Sequence, residues 1–175
     1  PLSCDVEDPP ASTVAIDAAC AGEPTPAIVD PWDLQIEWQW TAFTNAELGV
    51  WVLPVVGNLT DDDGDGQITE ADTPDVAFTT WDGLFGEGRL VVLSGDGGSE
   101  IFTLPGFAGF GGLTIADVTG DGRPEVIGLT SDFRVVAIDG AGATVWQSEV
   151  VSFETYPQPA VADLDNDGDI EVVYD

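Results

Sequence analysis

The chain has no histidine, no lysine and no methionine, two cysteines, and three arginines against 33 acidic residues. Each shortage closes a class of function. Without histidine there is no Ser-His-Asp or Cys-His relay and no histidine metal site. Without lysine there is no phosphate-cradling P-loop and no Schiff-base chemistry. Two cysteines alone do not complete an ordinary zinc site. Nowhere do eighteen apolar residues run together, so no membrane-spanning helix is expected. The formal net charge of -30 repels nucleic acid and anionic membranes, which excludes both as expected partners.

What is present bounds the answer from the other side. A hydrophobic content of 43% over 175 residues is too high for a disordered acidic tail and enough for one sizeable core. The sequence opens at Pro1 without a leader pattern, which reads as a mature product or an excerpt. Residues 1–33 are Pro-rich and are expected to form an extended, irregular N-terminal arm. Within it, Cys4 and Cys20 are expected to pair as a disulfide, a loop closure worth about 3 kcal/mol in the chain-entropy model. That pairing fits a secreted or cell-surface protein.

The rest of the chain repeats. "PVVGNLTDDDGDGQITEADTPDVAFTT" from Pro54, "LTIADVTGDGRPEVIGLTS" from Leu113 and "PAVADLDNDGDIEVVYD" from Pro159 share one plan. Each has an apolar run, an acidic Gly-containing loop, and an acidic residue leading a second apolar run. The loop openings, Asn58, Asp117 and Asp163, lie 59 and 46 residues apart, and the closings, Asp75, Glu125 and Glu171, lie 50 and 46 apart. The difference of nine (59 less 50) is an insertion in the first loop. A second pair of segments, "RLVVLSGDGGSEIFTL" and "FRVVAIDGAGATVWQS", also repeats.

Short β-branched runs bounded by Gly, Asp and Pro predict strands. They fall near 51–57, 74–80, 89–94, 99–104, 113–117, 124–130, 133–138, 143–148, 159–163 and 170–174, with hairpin turns at "SGDGGS" and "DGAG". "LQIEWQW" at 34–40 matches the fourth strand of a preceding unit. Four strands every 45 to 50 residues predict an all-β fold of β-propeller-type blades. The blades span about 51–104, 113–148 and an incomplete 159–175, or two and a half in all. Trp38, Trp40, Trp51, Trp81, Phe102 and Trp146 are expected mainly as packing between sheets, with a sugar-stacking platform as the alternative.

The loops carry the chemistry. "TDDDGDGQITEAD", residues 60–72, holds six carboxylates in thirteen positions. It fits a D-x-D-x-D-G calcium loop, with Asp61, Asp63 and Asp65 as ligands, Gln67 offering its carbonyl and Asp72 at position twelve. "DLDNDGDIE" sets Asp163, Asp165, Asp167 and Glu171 at positions one, three, five and nine, with the Asp169 carbonyl joining them. "DVTGDGRPE" sets Asp117, Thr119, Asp121 and Glu125 in the same places, with Arg123 at the position of Asp169. Thr119 replaces a charge by a hydroxyl, so this site should be the weaker. Convergent carboxylates repel one another, and a hard cation with oxygen ligands removes the repulsion; Ca²⁺ accepts the irregular geometry better than Mg²⁺. The alternatives are solvated Asp/Gly turns or a carboxylate pair acting on a glycosidic bond. Asn58-Leu59-Thr60 is also a glycosylation sequon.

"ADVTGDGRPEVIGL" and "ADLDNDGDIEVVY" resemble FG-GAP/VCBS repeats, the calcium-binding blades of integrin-alpha-like propellers. The resemblance covers roughly residues 34–175. It implies a propeller, usually of seven blades, with Ca²⁺ in the loop between the first two strands of a blade. By position the implied ligands are Asp117, Thr119, Asp121 and Glu125, then Asp163, Asp165, Asp167 and Glu171. The first loop departs from the pattern through its insertion and Asn58.

The expectation is therefore a secreted propeller with about three Ca²⁺ sites and a structural or adhesive role toward an extracellular protein or glycan, without catalysis. A carbohydrate-binding propeller is the second reading, and a polysaccharide-cleaving enzyme the third. Because the pattern stops inside a repeat, the chain is expected either to belong to a longer propeller or to complete its sheets head to tail as an extracellular fibre.

Overall fold

A computed structural model describes residues 35–44, 47–83, 87–151 and 158–174. Ten strands follow in order: β1 (Val55–Gly57), β2 (Asp75–Thr79), β3 (Glu87–Ser94), β4 (Glu100–Ala108), β5 (Thr114–Ala116), β6 (Glu125–Leu129), β7 (Arg134–Ile138), β8 (Thr144–Val150), β9 (Ala160–Ala162) and β10 (Glu171–Val173). Among the described residues there is no helix. The strands form three antiparallel sheets: β1-β2-β3-β4, β5-β6-β7-β8, and the pair β9-β10. Each predicted strand from 51 onward is present, shortened or extended by a few residues at its ends.

The side-chain period of a strand explains how these sheets stack. On β3, Leu90 and Val92 enter one apolar layer, while Val91 and Leu93 enter another. On β6 and β7, Val126, Val136 and Ile138 join the layer of Leu90 and Val92. Ile127, Val135 and Ala137 face the opposite way, into a layer that also takes Val161 and Val172 of the third sheet. The first and second sheets thus share one apolar layer, and the second and third share the next. This accounts for the unbroken burial of β6: a strand covered on both faces has no polar side to alternate with.

Two expectations need correction. Residues 35–40 form no strand. Trp38 and Trp40 lie instead against the outer layer of Phe78, Val91 and Leu93, and the Trp40 Nε1 donates to Glu100 at 2.9 Å. Nor are the aromatic residues uniformly core. Trp51 is 63% exposed and Trp146 44%, and Trp51 rests on Trp81 with ring centroids 4.0 Å apart. The Cys4–Cys20 pairing and the N-terminal arm lie outside the described residues.

Candidate metal-binding loops

The three acidic loops join equivalent strands: β1 to β2, β5 to β6, and β9 to β10. Register fixes the equivalence, because Gly57 pairs with Asp75, Ala116 with Glu125, and Ala162 with Glu171. Each loop therefore leaves its sheet at the same end.

Within a loop, the first aspartate acts as a brace. Asp61 accepts from the N–H groups of Gly64 and Gly66, both at 2.8 Å. Asp117 accepts from Gly120 at 2.7 Å and Gly122 at 2.8 Å. Asp163 accepts from Asp167 at 3.2 Å and Gly168 at 3.1 Å. The sixth position has φ of +89° at Gly66, +82° at Gly122 and +96° at Gly168, a left-handed conformation that a side chain would strain. The last carboxylate closes the loop by accepting from the N–H of the second position. Asp72 does so from Asp62 at 2.9 Å, Glu125 from Val118 at 3.0 Å and Glu171 from Leu164 at 2.7 Å.

These braces bring carboxylates together. Asp61, Asp63 and Asp72 form one group, Asp117, Asp121 and Glu125 a second, and Asp163, Asp165 and Glu171 a third. Within each group the offered oxygens lie within 4.8 Å of one another. Asp65 and Asp167 stay outside these groups and accept from the N–H groups of Gln67 at 2.8 Å and Asp169 at 2.9 Å. The Thr119 hydroxyl lies 3.4 Å from Asp117 Oδ1. Gln67, Arg123 and Asp169 hold the seventh position, where a carbonyl ligand is expected.

Electrostatics show the cost of this convergence. Glu125 is 1% exposed, and burial pushes its carboxyl above the ordinary range, with the charges of Asp117 and Asp121 adding to the rise. Burial acts the same way on Asp117, but its backbone N–H donors, Gly122 first, outweigh it and hold the group low. Asp72 is also held low, chiefly by the Thr69 N–H. Among the described residues the ion pairs are Arg89 with Glu47 and Arg134 with Asp132; neither reaches a loop. The groups combine several hard oxygen donors, none of them in an ion pair among the described residues, a donor set that fits Ca²⁺.

The first loop also keeps the repeat's own opening and closing positions, Asn58 and Asp75. By register Asp75 matches Glu125 and Glu171, and it too accepts from a second-position N–H, that of Leu59, at 2.9 Å. At the opening stands Asn58, whose carboxamide donates to the Thr69 carbonyl. The insertion therefore sets an acidic loop of its own, 61–72, inside the frame of Asn58 and Asp75. Asp75 is fully buried, its Oδ1 has no hydrogen-bond partner, and burial raises its pKa.

A cleft of about 470 Å³ separates the first and second loops, lined by Asp61, Ile68, Asp121, Arg123, Asp139 and Val145. A smaller one of about 200 Å³ is lined by Trp51, Leu53, Phe110 and Gln158. Among the described residues no helix is long and apolar enough to cross a membrane.

No family model and no curated protein matches the chain. Among solved structures, the chain is similar to the biofilm matrix protein Bap1 of V. cholerae, with a TM-score of 0.69 and 28% identity over 80% of this chain. The chain spans 25% of the length of that protein.

Proposed function

We propose that this chain is a calcium-binding portion of an FG-GAP/VCBS-type β-propeller that serves as a non-catalytic scaffold in an extracellular matrix. One observation carries the reading: three successive sheets, stacked face to face, each hold three carboxylates within 4.8 Å at the same strand junction. Face-to-face four-stranded meanders are the stacking that propeller blades use. The similarity to a biofilm matrix protein supports the extracellular setting.

Bound Ca²⁺ supplies positive charge and an undemanding coordination sphere. The chain's own part is to hold the donors in place. The Gly at position six lets the backbone turn, the first aspartate ties that turn, and the last carboxylate anchors the loop to the strand that follows. The loop ends become fixed, and the sheets between them can present a rigid surface. Stability should therefore depend on the metal. A ligand that binds only the native state adds RT ln(1 + [L]/Kd), about 2.7 kcal/mol at a hundredfold excess over Kd. Melting followed by circular dichroism should occur well below the calcium-loaded temperature when EDTA is present. Identical melting in the two buffers would refute the assignment.

A second reading, glycan binding, is favoured by the exposed Trp51 stacked on Trp81 beside Phe110 and Gln158. An indole face receives the apolar face of a sugar ring, and a carboxamide can bond its hydroxyls. Neutral oligosaccharides should quench tryptophan fluorescence in the native chain and not in Trp51→Ala. Equal responses in both chains would exclude this cleft.

A further inference from the structure

Arg123 lies in the second acidic loop, but its side chain leaves that loop. Its Nη2 donates to the Gly66 carbonyl at 3.3 Å, across the cleft to the first loop. Gly66 is the braced glycine of that loop: its N–H donates to Asp61, and the next N–H, of Gln67, donates to Asp65. One guanidinium therefore touches the Gly66 turn, whose own N–H, in the preceding peptide, is held by Asp61. At its other end Arg123 is set by its own loop, because its N–H donates to Asp121 Oδ1 at 2.9 Å. Pro124 follows it and biases the Arg123 backbone toward extended conformations.

We infer that Arg123 is a positioning residue that couples the two loops, so that occupation of the second loop by a cation raises the affinity of the first. This rests on the calcium reading. A cation that draws Asp121 and the Arg123 carbonyl into place fixes the root of the side chain, and the Gly66 turn is then held ready. The coupling has a sign that simple electrostatics lacks. Two cations in adjacent loops repel, so filling one should weaken the other if only charge mattered. Likewise, deleting a positive side chain beside an acidic loop should strengthen cation binding there.

The test is a CaCl₂ titration of the full chain followed by NMR, with the Gly66 amide reporting the first loop and the Gly122 amide the second. Four chains are compared: native, Asp121→Ala, Arg123→Ala and the double variant. Arg123 is exposed, and its replacement leaves the backbone carbonyl in place. Asp121→Ala should weaken first-loop affinity roughly fivefold, at the low end of common coupling strengths. Arg123→Ala should weaken it by a similar factor, and in that background Asp121→Ala should have no further effect. First-loop affinity that is unchanged or strengthened in either single variant would overturn the coupling, as would an undiminished Asp121→Ala loss in the double variant. Failure of both amides to respond to Ca²⁺ in the native chain would overturn the calcium reading itself, and the coupling with it.

Discussion

Glu47 and Arg89 show how this chain treats a carboxylate that it can neutralise. Arg89 Nε and Nη2 both donate to Glu47 at 2.7 Å, and the Thr80 hydroxyl and Thr44 N–H donate as well. Burial alone would raise the Glu47 pKa, but the guanidinium and these donors outweigh it and bring it from 4.5 to about 2. A carboxylate with a depressed native pKa contributes stability above its unfolded value, and that contribution is lost as the pH falls. Here it should be complete above pH 4.5 and gone near pH 2. Glu47→Gln should cost about 2 kcal/mol at neutral pH and progressively less below pH 4.5. Urea unfolding of both chains from pH 7 to pH 3 checks it; a constant difference would mean that the ion pair is not what is lost. Nothing in the sequence pairs Glu47 with Arg89, because 42 residues separate them and no motif joins them. The aspartates of the loops were legible for the opposite reason: their spacing of two and their glycine are local, and braces such as Gly122 to Asp117 close within five residues. Where the sixth-position glycine and the first aspartate sit close in sequence, the group they build can be read directly. The reach of Arg123 to Gly66 spans 57 residues and was not legible.

At the scale of elements, the strands were readable because the repeat of segments and the short β-branched runs agreed. All the strands but β8 and β10 are flanked on at least one side by Gly, Asp or Pro. The hairpin turns were equally plain: Gly97 and Gly98 take φ of +80° and +70°, and Asp139 accepts from Ala141 and Ala143 in the other. The segment at 34–40 misled because alternation of apolar and polar residues marks a surface that needs covering, not the partner that covers it. "LQIEWQW" alternates as an edge strand would, but its indoles found the outer apolar face of the first sheet. The first loop was legible as an insertion, with Asn58 and Asp75 in the repeat positions around the register 61–72; the hydrogen bonds that close each frame were not. The register of Gly57 with Asp75 agrees with the sequence alignment of Asp75 with Glu125 and Glu171, while Asp72 closes the inserted loop. Both carboxylates accept a second-position N–H, so one strand junction carries the same device twice.

For the whole molecule, charge is the dominant fact. A formal charge of -30 on 175 residues works against compactness through self-repulsion, and the local groups of three carboxylates concentrate it. Three Ca²⁺ ions would bring the total to -24 (three times +2), a modest change in sum but one placed where like charges are closest. Monovalent salt acts differently: at 0.1 M its screening length is about 10 Å, which relieves repulsion between distant surface charges and does little inside a loop. The calcium-free chain should therefore gain thermal stability with added NaCl more steeply than the calcium-loaded chain, and should still fall short of it at about 0.5 M NaCl, where the screening length lies between about 3 Å and about 10 Å. Melting temperature against the logarithm of NaCl concentration, in EDTA and in millimolar CaCl₂, gives the two slopes. If the two curves coincide, calcium adds nothing beyond ionic strength, and the loops are solvated turns whose convergence has no ligand to answer it.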